Sequence, residues 1–282
     1  MARVVVGIDV GGTFTDFAIL VDGVVSVHKV PSTPRDQSQG IVQGLREAGV
    51  GGPDVSYVHG STVATNSVLE GKGARTALVT TQGFEDVLEI GRQNRPALYD
   101  LMAERPPALA PRELRFGVKE RVDYNGVALT PLDDREIARI VQAVKDGKPE
   151  AVAISLLFSF LNPEHEARLR EALERLDEKP FLSVSSEVLP EFREYERTST
   201  VVVNAFVGPV MKRYLDNLSR ALGRNLRIMQ SSGGSVTAAL AARQPVRTIL
   251  SGPAGGAVGA FYTGGLAGYT DLITLDMGGT ST

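Results

Sequence analysis

Two hydrophobic periods divide the chain. Val4, Val5, Val6 and Ile8 form a β-branched apolar run, the composition of a strand covered on both faces. Asp9 stands where that strand ends, followed by Gly11 and Gly12 and the hydroxyls Thr13 and Thr15. Phe14, Phe17, Ile19 and Leu20 then resume an apolar pattern, which predicts a hairpin rather than a strand feeding a helix. Asp22-Gly23, between further apolar runs, predicts a second tight turn and a third strand reaching Lys29. Helical spacing takes over at Ile41, Val42 and Leu45 (a helix over 37–48) and at Ile137, Ile140, Val141 and Val144 (133–144). It recurs at Leu169, Leu173 and Leu176, behind an Asn162-Pro163 start whose first-turn His165 is expected on the surface. Short apolar runs predict strands over 55–58, 75–80, 116–123, 151–158 and 226–229, and a long helix over 194–222. The helices and strands of 133–184 read as α/β packing rather than chemistry.

Composition narrows the class without naming a function. The 282 residues can bury a substantial core, and 43% hydrophobic with 22% charged residues is ordinary for a globular protein. A formal charge of −3 gives no electrostatic footprint for nucleic acid or an acidic membrane. No cysteine is present, so disulfide and thiol chemistry are excluded. Neither a signal-peptide pattern nor an apolar run of spanning length occurs, and the cytoplasm is the expected location.

The glycine-rich turns carry the candidate chemistry. Gly11 and Gly12 let backbone N–H groups approach a bulky anion, Thr13 and Thr15 add hydroxyl donors, and Asp9 is placed to hold Mg²⁺ through its water shell. The chain repeats this at Asp271–Thr282, DLITLDMGGTST, again read as an apolar strand, an Asp and a Gly-Gly-Thr turn. Asp9 aligns with Asp276, Gly11 and Gly12 with Gly278 and Gly279, Thr13 with Thr280, and Thr15 with Thr282. Two copies at one offset favour a phosphate site over two ordinary turns.

Other segments admit two readings each. His59-Gly60-Ser61-Thr62 precedes a helix over 63–70, and is either an anion or substrate loop or a start capped by Ser61 or Thr62. His59 has no second histidine nearby to complete a zinc pattern. Arg92 and Arg95 lie in an aperiodic segment. They either recognise a carboxylate or ring carbonyl or pair with Glu89 or Asp100. Glu196 and Arg197 open the long helix as a charged entrance or a site contact. Gly255, Gly256 and Gly259, in SGPAGGAVGAFYTGG, suggest close helix packing and a hinge, with Ser251-Gly252 as a ligand contact.

Duplicated DxGGT loops resemble those of the actin, hexokinase and heat-shock-chaperone ATPase superfamily. Within it the chain is similar to the hydantoinase A / 5-oxoprolinase family, which includes N-methylhydantoinases and the ATP-using subunits of acetone carboxylase-type enzymes. IDVGGTFTD, HGSTVATNSVLEGKGARTALVTTQGFEDVLEIGRQNRPALYDL, ERTSTVVVNAFVGPVM, ILSGPAGGAVGA and LDMGGTST carry the likeness, spread over nearly the whole chain. The resemblance implies an α/β, ribonuclease H-like (actin-like ATPase) lobe with a mixed sheet, formed by 1–60 plus 190–282, and an inserted α/β subdomain over 61–189. It implies ATP-dependent ring opening of a cyclic amide of hydantoin or 5-oxoproline type, or chemistry on a related carbonyl substrate, through phosphorylation of the amide oxygen. Asp9 and Asp276 would hold Mg²⁺, and Gly11, Gly12, Thr13, Thr15, Gly278, Gly279 and Thr280 would cradle the phosphates. Asp16 either positions a phosphate, metal water or substrate or caps the hairpin. The resemblance also makes His59, Ser61, Thr62, Arg92, Arg95, Glu196 and Arg197 substrate-side candidates and implies a second subunit as partner. The sequence stops at Thr282, inside the second motif, so a first lobe that is inactive alone is expected. Two other readings stay open: a sugar or small-acid kinase of the same superfamily, and a non-catalytic lobe serving as a subunit or binding module.

Overall fold

The turn at Gly12-Thr13 joins β1 (Val4–Val10) antiparallel to β2 (Phe14–Val21), and Asp22-Gly23, both residues at positive φ, turns β2 into β3 (Val24–Pro31). These come from a computed structural model that describes residues 4–33, 36–52, 54–100 and 102–277. Then follow α1 (Gln37–Glu47), β4 (Val55–Ser61), α2 (Val63–Leu69), β5 (Thr76–Thr81), α3 (Val87–Ile90), β6 (Arg115–Val118), β7 (Arg121–Val122) and β8 (Ala128–Thr130). The remainder is α4 (Asp134–Gly147), β9 (Ala151–Ser155), α5 (Glu164–Glu174), β10 (Phe181–Val184), α6 (Ser185–Val188), α7 (Glu194–Leu222), β11 (Leu226–Met229), β12 (Ser235–Thr237), α8 (Ala238–Arg243) and α9 (Ser251–Leu266).

The chain divides into two compact units, Met1–Lys72 with Val210–Thr282, and Gly73–Pro209. In the first, six strands run in the order β12-β11-β4-β1-β2-β3, with β4 parallel to β1 and β11 and the other pairs antiparallel. One face of this mixed sheet is closed. Val6, Ile8, Val10, Phe17 and Ile19 are buried on it, and Ile41 and Leu45 of α1 pack onto β2 and β3. The other face, carrying Val5, Gly7, Asp9, Ala18 and Val27, is open in part. β1 therefore alternates in burial, and the expected two-sided cover is corrected by the structure.

The second unit holds a parallel sheet, β10-β9-β5-β6, around a core of Val79, Leu114, Ile140, Val152, Ile154, Leu169 and Leu173. α4 starts at Asp133, whose side chain accepts the Glu136 amide at 2.7 Å. His165 corrects the surface expectation. It lies one turn before Leu169 on the same stripe, is buried, and its Nδ1–H donates to Glu120 Oε2 at 2.8 Å while Nε2 accepts the Leu132 amide. Residues 272–277, expected as a strand, take no strand pairing among the described residues.

Candidate functional site

The two hairpin turns fix a register that places one polar row across the open face of the first unit's sheet. Gly60 pairs with Asp9, Asp9 with Asp16, and Asp16 with Lys29. Residues paired in this way project to the same face. Two carboxylates thus stand side by side, a repulsive arrangement relieved at one end by Lys29, whose Nζ lies 2.9 Å from Asp16 Oδ1 and 5.0 Å from the centroid of the Phe14 ring. Gly60 leaves the other flank clear: a Cβ there would sit 3.6 Å from Asp9 Oδ1.

The row lines a cleft of about 900 Å³, to which the Gly11-Gly12 turn, Thr62, Gly252 and Asp276 also contribute. Burial, then the Asp16 and Asp276 carboxylates, hold the Asp9 carboxyl above its usual range, against a hydrogen bond from the Val10 amide. Asp9 and Asp276, separated by most of the sequence, are therefore brought to one cleft.

At the hairpin tip, the Gly11 amide donates to Phe14 O at 2.9 Å. The Gly12 and Thr13 amides have no partner among the described residues. Neither Gly11 nor Gly12 has positive φ, and Gly11 serves closeness rather than a left-handed turn: a Cβ on it would meet Phe14 O at 3.2 Å. Thr15 points away from the cleft. It is fully buried, its hydroxyl bonds to Ser32 Oγ at 3.1 Å, and Ser32 Oγ donates to Gly11 O. Gly278, Gly279, Thr280 and Thr282 lie outside the described residues.

The HGST segment is strand rather than loop through Ser61. Its residues alternate into the closed face, and His59 is fully buried. His59 Nδ1–H donates to Ile8 O at 3.2 Å and Nε2 accepts the Tyr214 hydroxyl at 2.6 Å, so neither ring nitrogen is left for a ligand. Burial drops its pKa to about 4 and pushes the Tyr214 phenol well up. Ser61 is buried against Ser251, whose hydroxyl donates to Ser61 O at 3.3 Å; Ser251 and Gly252 both line the first cleft. Thr62 precedes α2 without a side-chain cap; its hydroxyl donates to Val10 O at 3.2 Å. Within α9, a Cβ on Gly255 would meet Met229, while Gly256 and Gly259 face open space, so the expected close packing holds at the first of the three only.

The remaining candidates lie in the second unit. Arg92 donates to Glu196 at 2.7 Å, and both line a cleft of about 720 Å³ with Arg95. Arg92 thus pairs with Glu196, not with Glu89 or Asp100. Arg197 is buried. It donates to Leu156 O at 2.8 Å and to Ser159 Oγ, packs over the Phe160 ring, and burial lowers its pKa. That is a structural anchor. Sequence reasoning passed over Lys29 and Asn66, which also line the first cleft. The turns at Gly12-Thr13 and Asp22-Gly23 already set the Asp9–Asp16–Lys29 register, and Asn66 lies four residues beyond Thr62.

Among the described residues no group of three or more His, Cys, Asp or Glu could hold a metal, and no helix is long and apolar enough to cross a membrane. The family descriptions hydantoinase/oxoprolinase N-terminal region and hydantoinase/oxoprolinase match residues 5–177 and 197–282. The chain is 38% identical to caprolactamase subunit alpha of Pseudomonas jessenii, over 98% of its own length and 42% of that protein. It is 33% identical to 5-oxoprolinase 1 of Arabidopsis thaliana, over 98% of its length and 25% of that protein. Among solved structures it matches the nucleotide-free structure of acetone carboxylase, an enzyme of ATP-dependent acetone carboxylation, with a TM-score of 0.84 and 30% identity, covering 95% of this chain and 42% of that one. The fold is accordingly that of an α/β, actin-like ATPase lobe. The chain spans less than half the length of these relatives.

Proposed function

The chain belongs to the hydantoinase/oxoprolinase family, and from that membership we propose that it supplies the phosphate-handling part of an enzyme that opens a cyclic amide at the expense of ATP. The observation that supports this reading is the Asp9–Asp16–Lys29 row beside the Gly12 and Thr13 amides, which have no partner among the described residues, in one cleft with Asp276. Caprolactamase and 5-oxoprolinase, by their names, act on cyclic amides, and relatives named as subunits favour a second chain as partner. The cytoplasm is the proposed location.

In this reaction the ring carbonyl oxygen bonds to the γ-phosphorus as the bond from phosphorus to the ADP oxygen breaks. Water adds to the activated carbon, the ring C–N bond breaks with a proton passing to nitrogen, and a second water releases phosphate from the acyl phosphate. Most of the protein's work in such a transfer is positioning and charge neutralisation. The Gly12 and Thr13 amides and the Thr13 hydroxyl bind phosphate oxygens, and the duplicated motif assigns the same role to Gly278, Gly279 and Thr280. Asp9 and Asp276 would hold Mg²⁺, a cation that suits a site offering few carboxylates. The fit rests on Asp9 standing beside Asp16 on one sheet face and in one cleft with Asp276, an acidic crowding that a cation relieves. Bound there, Mg²⁺ offsets the charge of the polyphosphate. Asp16, held by Lys29, orients a water or the substrate. Thr15 shapes the turn through Ser32 and does not reach phosphate.

Calorimetric titration of Mg-ATP tests the reading, with Asp9→Asn as control. Wild-type binding that requires Mg²⁺ and is lost in Asp9→Asn is expected. The same variant should melt slightly higher, by about 1–2 °C, because it removes one charge from a repulsive cluster. Absence of nucleotide binding in the full-length protein overturns the assignment. ADP release with sugars but not with cyclic amides would convert it to a kinase.

A further inference from the structure

Thr62, Thr65 and Asn66 are the hydroxyl and amide residues around the first turns of α2, and two of them are engaged. Thr62 Oγ1 donates to Val10 O at 3.2 Å, and Thr65 Oγ1 accepts the Leu250 amide at 3.0 Å. These bonds tie α2 to β1 on one side and to the residue preceding α9 on the other, so the helix is rigidly held. Asn66 stands one turn beyond Thr62, its amide donating to Thr62 O at 2.8 Å. Residues four apart share a helix face, so Asn66 lies on the side of α2 that Thr62 turns toward the end of β1, about 6 Å further along. It lines the cleft that contains Asp9, and its half-buried side chain makes no hydrogen bond to the described residues. A carboxamide offers one acceptor and two donors, and in a partly desolvated place those groups call for partners.

We propose that Asn66 is the residue that recognises the substrate's cyclic amide, by a pair of hydrogen bonds that a ring amide can complete and an open-chain amide cannot. This rests on the function proposed above. A small ring forces its amide to be cis, so the carbonyl oxygen and the N–H point to the same side. A primary carboxamide presents the complementary pair: its NH₂ donates to the ring carbonyl while its oxygen accepts the ring N–H. An open-chain secondary amide is trans, with the two groups on opposite sides, and can satisfy only one of the bonds. The ring carbonyl keeps a second lone pair for the phosphoryl group, so recognition and reaction do not compete for the same electrons. Because α2 is held by Thr62 and Thr65, the carboxamide is placed before the ligand arrives, as discrimination requires. Asn66 on this account sets which amides bind.

The test is calorimetric binding of δ-valerolactam, N-methyl-δ-valerolactam and open-chain N-methylacetamide to the full-length protein loaded with a non-hydrolysable Mg-ATP analogue. Asn66→Leu is compared with wild type. Two neutral hydrogen bonds predict that wild type prefers valerolactam over its N-methyl form by about tenfold or more, and over the open-chain amide by a similar factor. Asn66→Leu should lose that preference while its nucleotide affinity and melting temperature stay as in wild type. The wild-type comparison of the two lactams needs no variant and so does not depend on Asn66→Leu folding. Equal wild-type affinity for both lactams, an unchanged preference in Asn66→Leu, or nucleotide binding without lactam binding each overturns the Asn66 assignment and leaves the nucleotide site standing. Failure of wild type to bind nucleotide instead sinks the underlying function, and this inference with it.

Discussion

His59 shows at the residue scale how a polar side chain in a suggestive motif can belong to the core. Its neutral ring bridges the Ile8 carbonyl and the Tyr214 hydroxyl, and burial brings its pKa from 6.5 to about 4. Protons therefore bind the unfolded chain more readily than the folded one between those values. The stability that the neutral ring contributes is full above pH 6.5 and is lost as pH falls toward 4. At about pH 5 the loss from this group alone should be on the order of 2 kcal/mol relative to neutral pH. Urea unfolding at the two pH values measures it. His59→Gln should be less stable at neutral pH but flatter across the interval, and an equally steep profile in that variant would place the dependence elsewhere. The residue's burial was not read from the sequence, which ended the strand at 58; only its continuation through Ser61 puts Val55, Tyr57, His59 and Ser61 on one face of the sheet. Lys29 and Asn66 were not legible from composition, because a lysine in an edge strand and an asparagine in a short helix carry no signal until register and helix face are fixed.

Glycine-containing helices give opposite tests at the scale of elements. Gly44 on α1 lies against the Phe17 ring of β2, where an added Cβ would come within 2.3 Å of Cε2. Gly259 on α9 has open space around its added Cβ. Alanine is the better helix former by about 1 kcal/mol at either site. At Gly259 nothing opposes that gain, so Gly259→Ala should stabilise by up to about 1 kcal/mol. At Gly44 overpacking costs about 1–3 kcal/mol, so Gly44→Ala should leave the protein less stable despite its helix propensity. Chemical denaturation of both variants checks the signs, and stabilisation at Gly44 would mean that α1 and β2 do not approach so closely. The elements themselves followed well from periodicity where the pattern was long. The helices α1, α4 and α7 and the strands of the first hairpins fall close to their expected bounds. The reading failed where a pattern had competing explanations. Leu169 and Leu173 defined the inner stripe of α5, and His165, four residues earlier on that same stripe, was still assigned to the surface for being polar. Residues 272–277 have a strand's composition, but a strand also needs a hydrogen-bonding neighbour, which composition cannot report.

At the scale of the whole molecule, the first unit leaves several large apolar side chains exposed to water. Val27, on the open face of the sheet, is 83% exposed, Phe261 on α9 is 66% exposed, and Ile273 is fully exposed. Val25, Tyr262, Leu266 and Leu275 are exposed as well. Single exposed apolar residues are ordinary, but a concentration of them marks a place where something binds. The chain also spans less than half the length of its relatives. The 282-residue chain on its own should therefore bind a hydrophobic dye such as anilinonaphthalene sulfonate while folded, and should self-associate as its concentration rises. Val27→Thr combined with Phe261→Ser should reduce both signals without lowering the melting temperature, since neither side chain contributes to the buried core. Sedimentation across about a hundredfold range of concentration, paired with dye fluorescence, makes the comparison. A monomer at all concentrations with no dye enhancement would show that these residues are scattered contacts with water and not one adhesive surface. Association that persists unchanged in the double variant would move the adhesive surface off the open sheet face and α9.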